Sequence, residues 1–197
     1  QRLEHLEKVH LLACKRFLGV PVKTFNRMVY GELGRFPLYI NSTIRCVKYW
    51  FRLLQLDDSR LPHQAYKMLF NVDENGKFCW VTQVREILCN TGFAHVWLNQ
   101  GVQSIPVFKQ FRQRLIDVYN QEWFSTLRDK ECYSVYSSFK FTLLPEPYLS
   151  FVDIYCFRVA FTQIRLHALP LNNNVHRYSE IPSNRNCFTC NRMVEDE

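Results

Sequence analysis

With 197 residues, 47% of them hydrophobic and 15% aromatic, the chain can bury a core of its own, as one domain or as a domain with an appendage. It has no charged-then-apolar leader and no uninterrupted apolar run of about 18 residues, which points away from secretion and from membrane spanning and towards an intracellular protein of nucleus or cytoplasm. The net charge of +7 is concentrated: residues 1–60 hold eleven Lys/Arg against five Asp/Glu, a net of +6, which fits a polyanion partner and equally fits basic residues that only solubilise an apolar protein.

Gly is scarce, at 6 residues, and with Pro it mostly separates apolar segments of helical period. "RLEHLEKVHLLACKRFL" predicts a helix with Leu3, Leu6, Val9/His10, Ala13 and Phe17 along its inner face, ended by Gly19, Val20 and Pro21. "VKTFNRMVYGELG" predicts a shorter helix with Thr24 as its N-cap. From Pro37, "PLYINSTIRCVKYWFRLLQL" is the clearest element: Ile40, Ile44, Val47, Phe51 and Leu54 recur at steps of four and three, which is one face of a helix. "LPHQAYKMLF" predicts another helix, and "NVDENGK" a turn with Asn-Gly at its tip. "FCWVTQVREILCNTGF" predicts a helix with Trp80, Val84, Ile87 and Leu88 inward and Gly92 as its stop.

"AHVWLNQGVQ" is a loop or a short piece of structure. "IPVFKQFRQRLIDVYNQEWFSTLRD" predicts a long helix with Phe108, Phe111, Leu115 and Val118 on one side. "CYSVYSSFKFTL" has the β-branched and aromatic content of an extended segment. "PEPYLSFVDIYCFRVAFTQIRLHAL" predicts a last long helix, its start marked by Pro147. "PLNNNVHRYSEIPSNRN" is polar and turn-rich, a linker into Cys187 and Cys190. The expected fold is mainly α: an array of about seven helices over residues 1–170, then a linker and a short irregular zinc-knuckle half over 171–197. A start at Gln1 and a stop soon after Cys190 suggest a piece of a longer polypeptide.

Cysteine usage divides in two. Six of the eight cysteines (14, 46, 79, 89, 132 and 156) sit among apolar neighbours on helical patterns and look like reduced, buried thiols. Cys187 and Cys190 have the Cys-x2-Cys spacing whose tight turn aims two thiolates at one Zn²⁺. A structural zinc takes four ligands, so the site is incomplete; His176 and His167 are candidates within the chain, at spacings that are not standard. The other possibility is a redox pair, but such a pair follows a strand and opens a helix, whereas this one follows "IPSNRN". His10 and Cys14, four apart on one helical face, are half a metal site or a partly buried His beside a core Cys.

Arg45, Lys48 and Arg52, spaced three and four, form one cationic ridge beside the apolar face of their helix, with Asn41 on the same ridge. Such a ridge can contact phosphates; it can also be an ordinary solvated face. Lys109 and Arg112 repeat the pattern more sparsely, as do Arg158 and Arg165. No catalytic constellation stands out. Asp57-Asp58, the only Asp-Asp, follows "LQL" at a helix end rather than an aromatic-led strand, and there is no Gly-rich phosphate loop, His-Glu-x-x-His or Gly-x-Ser-x-Gly. The chain reads as non-catalytic.

The segment "VHLLACKRFLGVPVKTFNRMVYGELGRFPLYINSTIRCVKYW" resembles the region downstream of the reverse transcriptase domain in polyproteins of animal non-LTR retrotransposons. The resemblance rests on the His-x3-Cys-Lys-x2-Leu-Gly-Val pattern from His10 to Val20, "GELGRFPL" from Gly31 to Leu38, and Lys48 to Trp50. "RLIDVYNQEW", "YLSFVDIYCFRVAFTQIRLHALPL" and "HRY…RNCFTCNRMVEDE" then follow in the same order, so it covers nearly the whole chain. The resemblance implies a helical thumb- or connector-like region between polymerase and zinc knuckle, holding template RNA and target DNA in target-primed reverse transcription. It also implies that Cys187 and Cys190 are the first two ligands of a Cys-Cys-His-Cys zinc knuckle whose His and last Cys follow the acidic run ending at Glu197. The family often has a Glu and a Gly just before the Arg-Tyr matched by Arg177-Tyr178; here the residues are "NNNVH", so no role of that loop carries over.

Three functions remain at this point. The first is non-catalytic binding of RNA or DNA within a reverse transcriptase polyprotein. The second is a helical scaffold contacting other domains of that polyprotein, or a degenerate remnant of such an element. The third is a thiol–disulfide enzyme using Cys187 and Cys190.

Overall fold

A computed structural model of the chain describes residues 2–100, 104–129 and 133–169, with positions 186 and 193. The described residues form ten helices and no strand: α1 (Arg2–Leu18), α2 (Asn26–Leu33), α3 (Leu38–Leu54), α4 (Leu61–Glu74), α5 (Trp80–Asn90), α6 (Ala94–Leu98), α7 (Ser104–Arg128), α8 (Ser134–Phe139), α9 (Tyr148–Phe151) and α10 (Tyr155–Arg165). They divide into two compact units, one of residues 1–37 and 123–197, the other Leu38–Glu122, so the division falls inside α7.

The mainly helical expectation holds, with ten helices among the described residues where about seven were expected, and several local readings change. Within the segment expected to be extended, residues 134–139 instead form α8, whose Tyr136 is fully buried, so packing overrides β-propensity here. The last long helix is interrupted. Val152 and Ile154 take extended backbone angles, which cut the i→i−4 ladder between α9 and α10. α4 continues through most of the predicted turn, to Glu74. Thr24 does not cap α2; Phe25 holds that position, and the Thr24 hydroxyl is buried without a hydrogen-bond partner among the described residues.

Unit Leu38–Glu122 is built on α3. Its apolar stripe buries Ile40, Val47, Trp50, Phe51 and Leu53, while Asn41, Arg45, Lys48 and Arg52 on the next ridge round the helix stay exposed. Val47, Trp50 and Phe51 pack with Tyr66 of α4, Val81, Val84 and Leu88 of α5, Trp97 of α6 and Phe111 of α7. Trp50 stacks on Trp97 with ring centroids 5.7 Å apart. The one polar edge of the Trp50 indole is satisfied: its N–H donates to Tyr66 Oη at 3.2 Å, and that hydroxyl donates to Gln100 Oε1 at 2.8 Å. Arg85 of α5 reaches Asp73 of α4 at 2.9 Å. The expected inward set of α5 holds in part: Val84 and Leu88 are buried, Trp80 and Ile87 half-buried, and Gly92 stops the helix in the left-handed region at φ 85°.

In the other unit the inner face of α1 is not the expected one. Leu6, Val9 and Phe17 are 58%, 66% and 51% exposed, while Cys14 and Leu18 are buried, with His10 and Leu11 half-buried on the same side. α1 carries two apolar stripes of helical period, and the one that contains Cys14 and Leu18 packs against neighbouring helices. α2 and α10 are its helical neighbours. Close backbone approach marks the end of α2. Gly34 sits at φ +60°, and a Cβ there would lie 2.2 Å from Pro145 N.

That geometry yields a paired prediction. Gly34→Ala meets both left-handed strain and a backbone clash, and is expected to lose about 3 kcal/mol or more in urea unfolding. Gly76→Ala, at φ +73° with nothing within 4 Å, carries the strain alone and is expected to lose about 1–2 kcal/mol. Equal losses for the two would refute the clash.

Candidate nucleic-acid interface

α3 and α7 enclose a groove of about 910 Å³ within unit Leu38–Glu122. Helical period determines what lines it. On α3, Arg45, Lys48 and Arg52 follow one another at steps of three and four beside the buried stripe, and Gln55 lies just past the helix end. On α7, Lys109 and Arg112 flank Phe108 in the same way, with Ile105 one turn earlier and Gln113 one residue on. The two helices meet through Phe51 and Phe108, whose rings pack edge to face at 6.3 Å and 79°. Both rings also line the groove. Tyr49 is 50% exposed at its rim and rests edge-on against Trp80 at 5.8 Å.

The electrostatics are one-sided. Five of the seven cations expected from the sequence (Arg45, Lys48, Arg52, Lys109 and Arg112) line this one groove, and no Asp or Glu among the described residues does. All five are exposed, and none has an ion-pair or side-chain hydrogen-bond partner among the described residues. Like charges gathered round a cleft with an apolar floor raise the local potential and concentrate anions there.

The other two expected cations lie in the other unit and are placed differently. Arg165 is 17% exposed and is held by two carboxylates: it pairs with Glu32, whose side chain is 0% exposed, and with Glu146 at 2.7 Å. Its guanidinium also lies 4.5 Å from the centroid of the Phe139 ring. Burial pushes the Glu32 carboxyl up from its ordinary range, and the hydrogen bonds and charge of Arg165 oppose that rise. Lys140 pairs with Glu146 in the same network, and Tyr136 and Tyr148 reach Glu32 through their hydroxyls. Burial and the Glu32 charge push both phenols up. Arg158 is half-buried, its guanidinium 5.5 Å from the Phe17 ring centroid and 5.6 Å from that of Tyr155. Residues 158 and 165 therefore do not share the groove.

Cys187, Cys190 and His176 lie outside the described residues. Of the cysteines that look buried in the sequence, Cys14 is buried, Cys46 and Cys79 are half-buried, Cys89 and Cys156 are exposed, and Cys132 is outside the described residues. The exposed pair lie on α5 and α10. Cys14 Sγ lies 3.8 Å from His10 Nε2, and burial pushes this thiol up, with Arg35 opposing. Among the described residues no group of three or more His, Cys, Asp and Glu gathers where a metal ion could sit, and no helix is long and apolar enough to cross a membrane.

The sequence marked the cations but not their company. Tyr49, Phe51, Ile105, Phe108, Gln55 and Gln113 line the groove beside them. The available signal was that both ridges lie one step round the helix from a strong apolar stripe. Comparison of the chain with protein-family models, with curated proteins and with solved structures finds no match.

A charge test follows for the Arg165 network. Arg165→Met leaves Glu32 buried without its guanidinium and is expected to destabilise the protein by about 3–5 kcal/mol near neutral pH. Without that opposing cation, Glu32 takes up a proton at higher pH. The variant's deficit should therefore be small at acidic pH, where the carboxyl is neutral, and grow as pH rises through the raised value. Urea unfolding across pH checks this; a deficit independent of pH would contradict it.

Proposed function

We propose that this chain is a non-catalytic nucleic-acid-binding region of a non-LTR retrotransposon reverse transcriptase, a helical thumb- or connector-like part that helps to hold template RNA or target DNA. The observation that carries the nucleic-acid reading is the groove between α3 and α7, where five cations gather with no ion-pair partner and no acid among the described residues. Phosphate oxygens are the ligands such a groove fits, because each Lys or Arg gains a charge-assisted hydrogen bond and releases condensed counterions from the strand. Contacts of this kind hold a strand in register without reading its sequence. The retrotransposon context comes from the "GELGRFPL" and terminal Cys-x2-Cys resemblance. In the same reading, Cys187 and Cys190 supply two thiolates to a Zn²⁺; their chemistry and spacing suit that ion, which would tie the knuckle together. Neighbouring domains of the same polyprotein, in nucleus or cytoplasm, are the expected protein partners.

Salt titration tests the groove. With five phosphate contacts, log K for a single strand is expected to fall with log[salt] at a slope of about −3.5. Arg45→Ala/Lys48→Ala/Arg52→Ala should weaken binding by about tenfold or more at low salt and flatten the slope by about 2. A folded triple variant with unchanged affinity and slope would sink the assignment. A second reading, a helical scaffold for the same polyprotein, draws on the exposed Leu6, Val9 and Phe17 stripe of α1. Nuclease-insensitive capture of the separately expressed polymerase region would favour it.

A further inference from the structure

The α3–α7 groove has two kinds of lining, and only one of them is explained by phosphates. Its cations are exposed, but its floor is apolar: Phe51 and Phe108 lie packed edge to face at 6.3 Å, and Ile105, 69% exposed, lies beside them. A phosphate pressed onto that floor would lose water and gain no hydrogen bond from it. A nucleobase gains there, because its flat π-face is apolar and stacks on aromatic side chains whatever its identity. In a duplex the base faces are already stacked on one another and only edges and backbone are presented. Shape points the same way. A helix enters duplex DNA as a convex rod of about 10–12 Å in a major groove about 12 Å wide, whereas here the cations surround a concave cleft.

Tyr49 supplies the remaining element. Its ring is half exposed at the rim, beside Lys48 and Arg52, and the edge contact with Trp80 at 5.8 Å limits its motion. A ring already held in place loses little freedom when a base stacks on it.

Resting on the nucleic-acid reading above, we propose that this groove takes an unpaired single strand, with phosphates on Arg45, Lys48, Arg52, Lys109 and Arg112 and a base against Tyr49, Ile105 and the floor between α3 and α7. RNA and DNA strands share this chemistry. The exposed, unpaired cations make the site strongly anion-selective, and the apolar floor makes it prefer an anion that carries a flat apolar group.

The test uses the full chain and fluorescence anisotropy with one short mixed sequence in three forms: single-stranded RNA, single-stranded DNA and the DNA duplex. At fixed salt, one or both single strands should bind about tenfold or more tightly than the duplex, and the relative affinity of the two strands identifies the source. Tyr49→Ala/Ile105→Ala alters exposed side chains only and should weaken single-strand binding by about tenfold while leaving the salt slope unchanged. Tyr49→Phe, which keeps the ring, should bind as the parent does. Equal binding of duplex and single strand would overturn the inference, as would parental affinity of the Tyr49→Ala/Ile105→Ala variant. Either result, with the triple charge variant still impaired, leaves the cationic groove standing as a backbone-binding surface. If instead polyglutamate binds as tightly as the strands, the partner is an acidic protein segment, and the inference falls together with the nucleic-acid reading.

Discussion

The contact between Phe51 and Phe108 is what turns two separate rows of charge into one site. Each row is a by-product of helical period: a strong apolar stripe on α3, and another on α7, leaves the adjacent ridge in water. Nothing in either helix alone makes a groove. The two rings pack at the seam because both stripes belong to one core, that of Val47, Trp50, Phe51 and Phe111 with α4, α5 and α6. Burying that core therefore draws five cations around one cleft and leaves part of the apolar seam as its floor. Hydrophobic burial, not attraction among the polar groups, assembles the charged surface, and it does so against the repulsion of the charges.

The treatment of cations elsewhere in the chain sharpens that point. Arg85, Lys140 and Arg165 each have a carboxylate: Asp73, Glu146, and Glu32 with Glu146. Those pairs sit where burial would otherwise strand a charge, and they fasten separate segments to one another. The groove's five have no such partner among the described residues. That contrast is part of why we propose the groove as a surface that meets an outside anion.

Legibility in the sequence followed the strength of the period. α3 was plain, because Ile40, Ile44, Val47, Phe51 and Leu54 leave only one way to orient the helix, and its ridge of Arg45, Lys48 and Arg52 followed directly. α1 was not, because apolar residues at 3, 6, 9 and 17 and a second set around 11, 14 and 18 each satisfy a helical stripe, and only contact with neighbouring helices chooses between them. Residues 134–139 were misjudged for a related reason: β-branched and aromatic content reports a half-buried surface rather than a strand, and Tyr136 finds its burial on a helix. The break between α9 and α10 had no Gly or Pro at residues 152–154 to announce it. That Lys109 and Arg112 join the α3 ridge, while Arg158 and Arg165 do not, is a tertiary fact with no local signal.

The Glu32 cluster shows why site assignment here rests on access rather than on perturbed acidity. A shifted carboxyl and shifted phenols gathered in one place often mark a reactive site, and Glu32, Tyr136 and Tyr148 are such a gathering. Yet the Glu32 side chain is 0% exposed, both of its oxygens are engaged by Arg165, and the Tyr136 and Tyr148 hydroxyls close around them. Its shifts arise from burial and from one another, which is what an internal fastening between α2, α8 and α10 produces. A group that does chemistry or binds a ligand needs an open side. Among the described residues that open side lies at the cations between α3 and α7, which have no ion-pair partner there, and this is why we propose them as a binding surface.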